Sequence, residues 1–254
     1  MNIPVAISAQ AVNYNLPGVT GLKLSGDVLA QIYQGKITKW NDAAIAAINP
    51  GVKLPAITIV PVRRVDSSGD TFLFTSYLSA TNSSWQSGPG LGTTVTWPAV
   101  PGEVTASGNP GMVQTCQSTP GCVAYVGISA EQSAQQAKLG EAQLQNKDGK
   151  FVQLTPAAIN AAVQVGAKNI PANLAQPLIN EPGATSYPIV NYEYLVVKQQ
   201  QSSADMAQAI RTFLAWAMAP TGGNQAQYLS KQGFVALPDP VRQAAMASVA
   251  TLAG

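Results

Sequence analysis

No histidine occurs among the 254 residues. That absence removes the commonest general base, the usual zinc ligand and every Ser-His-Asp or Cys-His nucleophile arrangement. An enzyme built on this chain would need a carboxylate or lysine mechanism, and no nucleophile–base pair stands out for one. Charge is scarce as well. Fourteen basic and twelve acidic residues leave a formal net charge of +2, with no block of one sign. That balance argues against nucleic acid or an anionic membrane surface as the main partner. No apolar run approaches the ~18 residues that a transmembrane helix requires. The opening MNIPVAISAQAVNYN lacks a basic n-region, a continuous apolar stretch and a small-residue cleavage site, so it does not read as a signal peptide.

Cysteine is limited to Cys116 and Cys122, in TCQSTPGC. Five intervening residues are too many for a thioredoxin-type pair, and too few other ligands accompany them for zinc. Two readings stay open: a pair of buried thiols, or a short-loop disulfide across the Thr119-Pro120-Gly121 turn, which is favoured. A disulfide places a protein outside the cytoplasm. Set beside the opening segment, it leads to the expectation that an N-terminal piece precedes Met1 in the natural gene product.

What is abundant is apolar surface, 46% of the residues, enough for a sizeable core in one large domain or two small ones. Ile3, Val5 and Ile7 alternate, and Val12 and Tyr14 resume the pattern, which predicts a strand at the start. Ser25 or Asp27 can cap a helix carrying Val28, Leu29, Ile32 and Tyr33, and Asn41 a second one, DAAIAAI. AITIVPVRR, residues 56–64, reads as a buried strand. Residues 86–111 read as a loop region with one short strand at Thr93–Trp97. CVAYVGIS is a further buried strand, followed by a polar helix, AEQSAQQAKL. Thr155-Pro156 opens another helix. YPIVNYEYLVV, residues 187–197, is a second long strand. After it, Met206, Ile210, Phe213, Leu214 and Ala217 recur at helical spacing, which predicts an amphipathic helix over 203–218 with that face in the core. Strands alternating with helices indicate an α/β architecture.

The chemistry concentrates in VRRVDSSGDTFLFTSYLS, residues 62–79. With a strand ending at Arg64 and a helix over 69–81, Asp66–Ser68 form the turn between them. Ser68 is an N-cap, and Gly69 lets the backbone approach a ligand. First-turn N–H groups have no intrahelical partner and sit at the positive end of the helix dipole, so an oxyanion fits there. Arg64 offers a fork of donors, and Asp66 can hold its rotamer. The plainer alternative is a capped helix with surface ion pairs, its apolar face (Phe72, Phe74, Tyr77, Leu78) serving only as core. Asp70 is awkward in an anion socket, because a carboxylate repels an anion that carries no proton. It is either a source of selectivity for phosphate over sulfate or a helix-capping charge, and both stay open.

GKITKWNDAAIAAINPGVKLP followed by VRRVDSSGDTFLFTSYLS closely resembles the phosphate-binding subunit of high-affinity phosphate ABC importers, the PstS family. VNYNLPGV, GNPGMVQTCQSTPGCVAYVGIS and GFVALPDPVRQ extend the resemblance over essentially the whole chain. It implies a type II periplasmic-binding-protein fold with two lobes joined by crossover strands, and a buried anion between them. Residues 1–11 and 187–254 would then belong to the first lobe and 12–186 to the second. Arg64, Ser68, Gly69 and the residue after it are similar to the family's phosphate contacts, and Asp66 resembles the acidic partner of that arginine. Many members have Thr after the Gly. Here Asp70 stands there with Thr71 behind it, so the contact falls to Asp70 or Thr71.

Family members also carry an earlier segment, with a signal and further first-lobe ligand contacts, that has no counterpart in this sequence, so the first lobe is expected to be incomplete and to expose apolar surface. The resemblance implies an extracytoplasmic protein, lipid-anchored in full-length form, with permease subunits as partners. It implies no enzyme activity, cofactor or metal. The alternative is a remnant or interaction protein without high-affinity phosphate binding.

Overall fold

The computed structural model describes residues 1–254. In chain order its elements are β1 (Asn2–Tyr14), β2 (Lys23–Leu24), α1 (Gly26–Tyr33), α2 (Ala43–Ile48), β3 (Val60–Arg64), α3 (Gly69–Thr81) and α4 (Ser83–Ser87). Then follow β4 (Val104–Ala106), α5 (Gly108–Ser118), β5 (Cys122–Gly127), α6 (Glu131–Gln136), β6 (Gly140–Glu141), β7 (Gln143–Gln145) and β8 (Phe151–Val152). The chain closes with α7 (Pro156–Gly166), β9 (Leu178–Ile179), β10 (Ile189–Val196), α8 (Ala204–Met218), α9 (Ala226–Leu229) and α10 (Asp239–Ala250).

The main sheet runs β4-β3-β5-β1-β10-β9, with β6 also on β1. Its spine is β1. Residues 2–9 pair antiparallel with β10, and from Gln10 onward the same strand pairs with β5. Strands β4, β3 and β5 are mutually parallel, as helical crossovers demand. Eleven of the thirteen β1 residues are buried, on both faces of the strand, so the alternation of Ile3, Val5 and Ile7 does not mark a solvated face. A small second sheet, β2-β7-β8, lies apart. No helix is long and apolar enough to cross a membrane.

Local signals place most helices. Ser25, not Asp27, caps α1 by accepting the Val28 N–H, and Thr155 caps α7 ahead of Pro156. The second cap is a correction: Asp42 rather than Asn41 accepts the Ala44 N–H at 2.9 Å. An ionised carboxylate gains from the helix dipole as well as from the bond. The strand expected over 56–64 begins only at Val60. Ile57 and Ile59 instead exchange backbone bonds with Trp40 and Thr38, so that stretch ties a loop rather than extending the sheet. Thr93–Trp97 forms no strand. The strand of that region is β4, which pairs with the edge of β3, and the start of α5 also falls inside the expected loop.

Cys116, on α5, and Cys122, which opens β5, are joined in a disulfide, so the buried-thiol reading is set aside. Gly121 makes the turn possible. It adopts φ +81, and a Cβ there would stand 2.3 Å from the Thr58 carbonyl oxygen.

The face expected on α8 is only half right. Leu214 is buried and Ile210 packs against the core, but Met206 and Phe213 are exposed, while Ala207 and Met218 take the interior positions. Phe213 and Trp216 border an open apolar groove of about 570 Å³ over the β1–β10 surface, with Val5, Leu195, Tyr228 and Phe234 also lining it. Helical periodicity marks a residue as apolar-facing; it does not say whether a neighbour covers that face.

Candidate anion-binding site

Strand β3 delivers Arg64 to the C-terminal edge of the parallel strands, and α3 begins five residues later, so the turn between them opens at a strand end. Ser68 has extended backbone, φ −148 and ψ 138, and its Oγ accepts the Asp70 N–H at 3.0 Å. Its own N–H is held by the Thr93 carbonyl at 2.9 Å, which is what the segment 93–97 does in place of forming a strand. A Cβ on Gly69 would meet no atom within 4 Å. Packing therefore does not require glycine there, and the space in front of the α3 N-terminus is open.

The Arg64 guanidinium is engaged on both of its edges. Its Nε donates to Asp66 Oδ1 at 2.7 Å and its Nη2 to Asp66 Oδ2, while Nη1 lies 3.3 Å from Asp70 Oδ2. Asp66 also accepts the Gly108 N–H at 3.2 Å. The Arg64 bond holds the Asp66 carboxyl well below the usual carboxylate range. The same bond raises Arg64, which stays charged.

Asp70 is set differently. Burial raises its pKa, against the pull of the Asn109 amide, the Arg64 charge and the Gln10 amide. Gln10 Nε2 donates both to the Asp70 carbonyl oxygen at 2.9 Å and to Oδ1 at 3.3 Å. Thr71 is turned away from the open side. Its Oγ1 lies 2.9 Å from the Tyr125 hydroxyl, which also accepts the backbone N–H of Arg64 at 3.0 Å. Tyr125, pushed up to about 12 by burial, is stacked between Phe74 and Trp97.

Arg64, Asp66, Ser68, Gly69 and Asp70 are therefore brought together at one strand-to-helix turn, and Thr71 sits behind it. Phe74, Tyr77 and Leu78 are buried and Phe72 is half-buried, as core residues of α3. Sequence reasoning missed Gln10, Asn109 and Tyr125. The available signal for Gln10 was an amide inside the apolar run AISAQAVNY, with no partner nearby in sequence.

The first 221 residues match the family model of the PBP superfamily domain. The phosphate-binding protein PstS of Methanocaldococcus jannaschii is 39% identical over 266 residues, covering 98% of this chain and 67% of that protein. The chain belongs to the PBP superfamily, in the PstS family. The PstS of Pasteurella multocida is 36% identical over 219 residues, 85% of this chain and 62% of its own length. The chain thus spans about two thirds of the length of the curated PstS relatives it matches.

Among solved structures, the periplasmic phosphate-binding protein PfluDING bound with phosphate superposes with a TM-score of 0.75 at 20% identity, covering 97% of this chain and 70% of that one. The phosphate-binding protein of Stenotrophomonas maltophilia gives 0.70 at 20%, with the same coverage. These likenesses establish the shared fold, a type II periplasmic-binding-protein architecture.

Proposed function

We propose that this PstS-family chain binds inorganic phosphate as the extracytoplasmic substrate-binding component of a phosphate ABC transporter, and delivers it to the permease subunits without chemical turnover. The observation that carries this is the Arg64–Asp66 pair at the turn into the Ser68-capped N-terminus of α3, in a chain 39% identical to a protein named for phosphate binding. Arg64, Ser68, Gly69 and Asp70 are the proposed phosphate contacts, with Asp66 and Thr71 supporting them. Ser68 has only Arg64 and two carboxylates as ionisable company, which speaks against a nucleophilic role.

In this reading, residues 1–11 and 187–254 contribute to one lobe and 12–186 form the other. The register of β1 supports it, since the strand leaves β10 after Ala9 and joins β5 at Gln10. Titration calorimetry with phosphate tests the proposal. A Kd on the order of micromolar or below, roughly −8 kcal/mol, is expected. Absence of heat at millimolar phosphate would sink it.

The open groove at Phe213 and Trp216 favours a second reading, in which the chain is an interaction protein without tight anion binding. Strong hydrophobic-dye binding together with no phosphate heat is the result that would select it.

A further inference from the structure

Gln10 is a carboxamide inside an apolar strand, and it is fully buried. It stands where β1 changes partners: Ala9 is the last residue paired with β10, and Gln10 is the first paired with β5, opposite Gly127. Its backbone carbonyl accepts the hydroxyl of Tyr187, a fully buried residue just ahead of β10, at 2.9 Å. Its side chain reaches the first turn of α3. There Nε2 donates to the Asp70 carbonyl oxygen at 2.9 Å and to Asp70 Oδ1 at 3.3 Å.

The other half of the amide is unmatched. Oε1 is buried with no hydrogen-bond partner. Turning the amide over does not help, because both Asp70 atoms are acceptors. An apolar side chain of similar length would fill the place without an unpaired oxygen, and a buried unpaired acceptor destabilises a fold. The Asp70 carbonyl does not need the amide either, since in the first turn of α3 it has an intrahelical partner. The stability of the fold therefore does not account for Gln10. Gly127 agrees. Its φ is −64, which any residue adopts, yet a Cβ there would lie 2.8 Å from Asp70 Oδ1 and 2.7 Å from Asn109 Nδ2. The residue opposite Gln10 is thus kept small for the Asp70 carboxylate.

We propose that Gln10 is a positioning residue of the anion site: it fixes the Asp70 carboxylate and the first turn of α3 against β1, and it is kept at the expense of stability. This rests on the phosphate reading above, in which Asp70 and the α3 N-terminus are contacts. The bond from Arg64 to Asp70 is long, at 3.3 Å, and alone leaves the carboxylate a choice of rotamers. The Gln10 amide restricts that choice before a ligand arrives, so less ordering remains for binding to supply. Because β1 pairs with both β10 and β5, the turn is referenced to the strand that the two parts of the main sheet share.

The test is phosphate titration and thermal melting of the full chain carrying Gln10→Met, which keeps the length and removes both polar atoms. Melting temperature is expected to hold or rise, and phosphate affinity to fall by about tenfold, the worth of one hydrogen bond. An amide with a merely structural role would lower both together. A pH profile of affinity separates the roles further. Around Asp70 stand the Arg64 charge from β3, the Asn109 amide from α5 and the Tyr125 hydroxyl from β5, and the Gln10 bond helps to hold its carboxylate ionised against burial. Without that donor, the step of the profile due to Asp70 is expected at higher pH, while the steps of phosphate itself stay in place. Gln10→Leu repeats the comparison. Unchanged affinity, an unmoved profile, or destabilisation of both variants would overturn the inference and leave phosphate binding standing. No heat with phosphate in the wild type would overturn the phosphate reading, and the Gln10 assignment with it.

Discussion

The hydroxyl of Tyr125 accepts the backbone N–H of Arg64 at 3.0 Å, across 61 residues of sequence. The same oxygen lies 2.9 Å from Thr71 Oγ1. One phenol thus ties the end of β3 to the first turn of α3, the two elements that must be held in register for an anion to meet a guanidinium and a helix N-terminus together. Stacking with Phe74, at 4.5 Å between ring centroids, fixes the phenol from behind.

Tyr125→Phe keeps the ring and removes only the oxygen. It leaves the Arg64 N–H without its partner in a part-buried position, so a loss of about 1–2 kcal/mol in stability is expected. Phosphate affinity is expected to fall severalfold, because the turn loosens without losing a contact atom. Thermal melts and titration of the same sample check both. An unchanged affinity would mean that β3 and α3 are aligned by packing alone.

Arg64→Ala removes the cation that pairs with both Asp66 and Asp70, leaving each carboxylate without an ionic partner. Phosphate binding is expected to weaken at least tenfold, with the circular dichroism spectrum unchanged, since the arginine lies at a strand end rather than in the core. Unchanged affinity would place the anion elsewhere.

Gly69→Ala separates binding from folding. Nothing stands within 4 Å of the new methyl, and the position has no positive φ. Folding stability is therefore expected to hold or to rise by about 0.4–1 kcal/mol, through the less flexible unfolded chain. Phosphate affinity is expected to drop at least tenfold, because the methyl occupies the space a ligand needs. A variant that is destabilised with intact affinity would refute this account of the glycine.

The strand–turn–helix unit was readable in sequence because its determinants are local. Ser68 caps a helix that starts one residue later, and Asp66 reaches Arg64 across two positions. Gln10, Asn109 and Tyr125 were not readable, since their proximity to the turn depends on the fold bringing β1, β5 and the start of α5 to the end of β3. Fold class survived for a similar reason: alternating strands and helices limit the architecture strongly. The face of α8 was half misread because apolar spacing reports what a helix could bury, while the burial of Met206 and Phe213 depends on what is present to cover them. Ile57–Ile59 failed differently. Their β-branched composition fits a strand, yet their backbone bonds go to Thr38 and Trp40, a tertiary contact that propensity does not see.

Glu141 offers a prediction about pH that is independent of the anion site. It lies on β6 beside β1, and its pKa is raised to about 7, chiefly by burial and further by the nearby Glu131 charge, against bonds from the Leu154 backbone and the Gln153 side chain. Its unfolded value is about 4.3. Between the two, the folded state holds the proton more tightly than the unfolded chain, so this group favours folding at low pH and that advantage is lost as pH rises from about 4.5 to about 7. Asp66 acts in the opposite sense, because its depressed carboxyl loses its contribution only as pH falls below the ordinary carboxylate range. The two windows therefore do not overlap. Glu141→Gln keeps the shape and removes the titration. Discounted for partial exposure, it is expected to raise stability by about 1–2 kcal/mol at pH 8 and to change little at pH 4.5. Chemical denaturation of both proteins across that range reads the difference directly. Parallel stability curves from pH 4.5 to 8 would show that Glu141 titrates normally and that its burial in the fold is relieved by water.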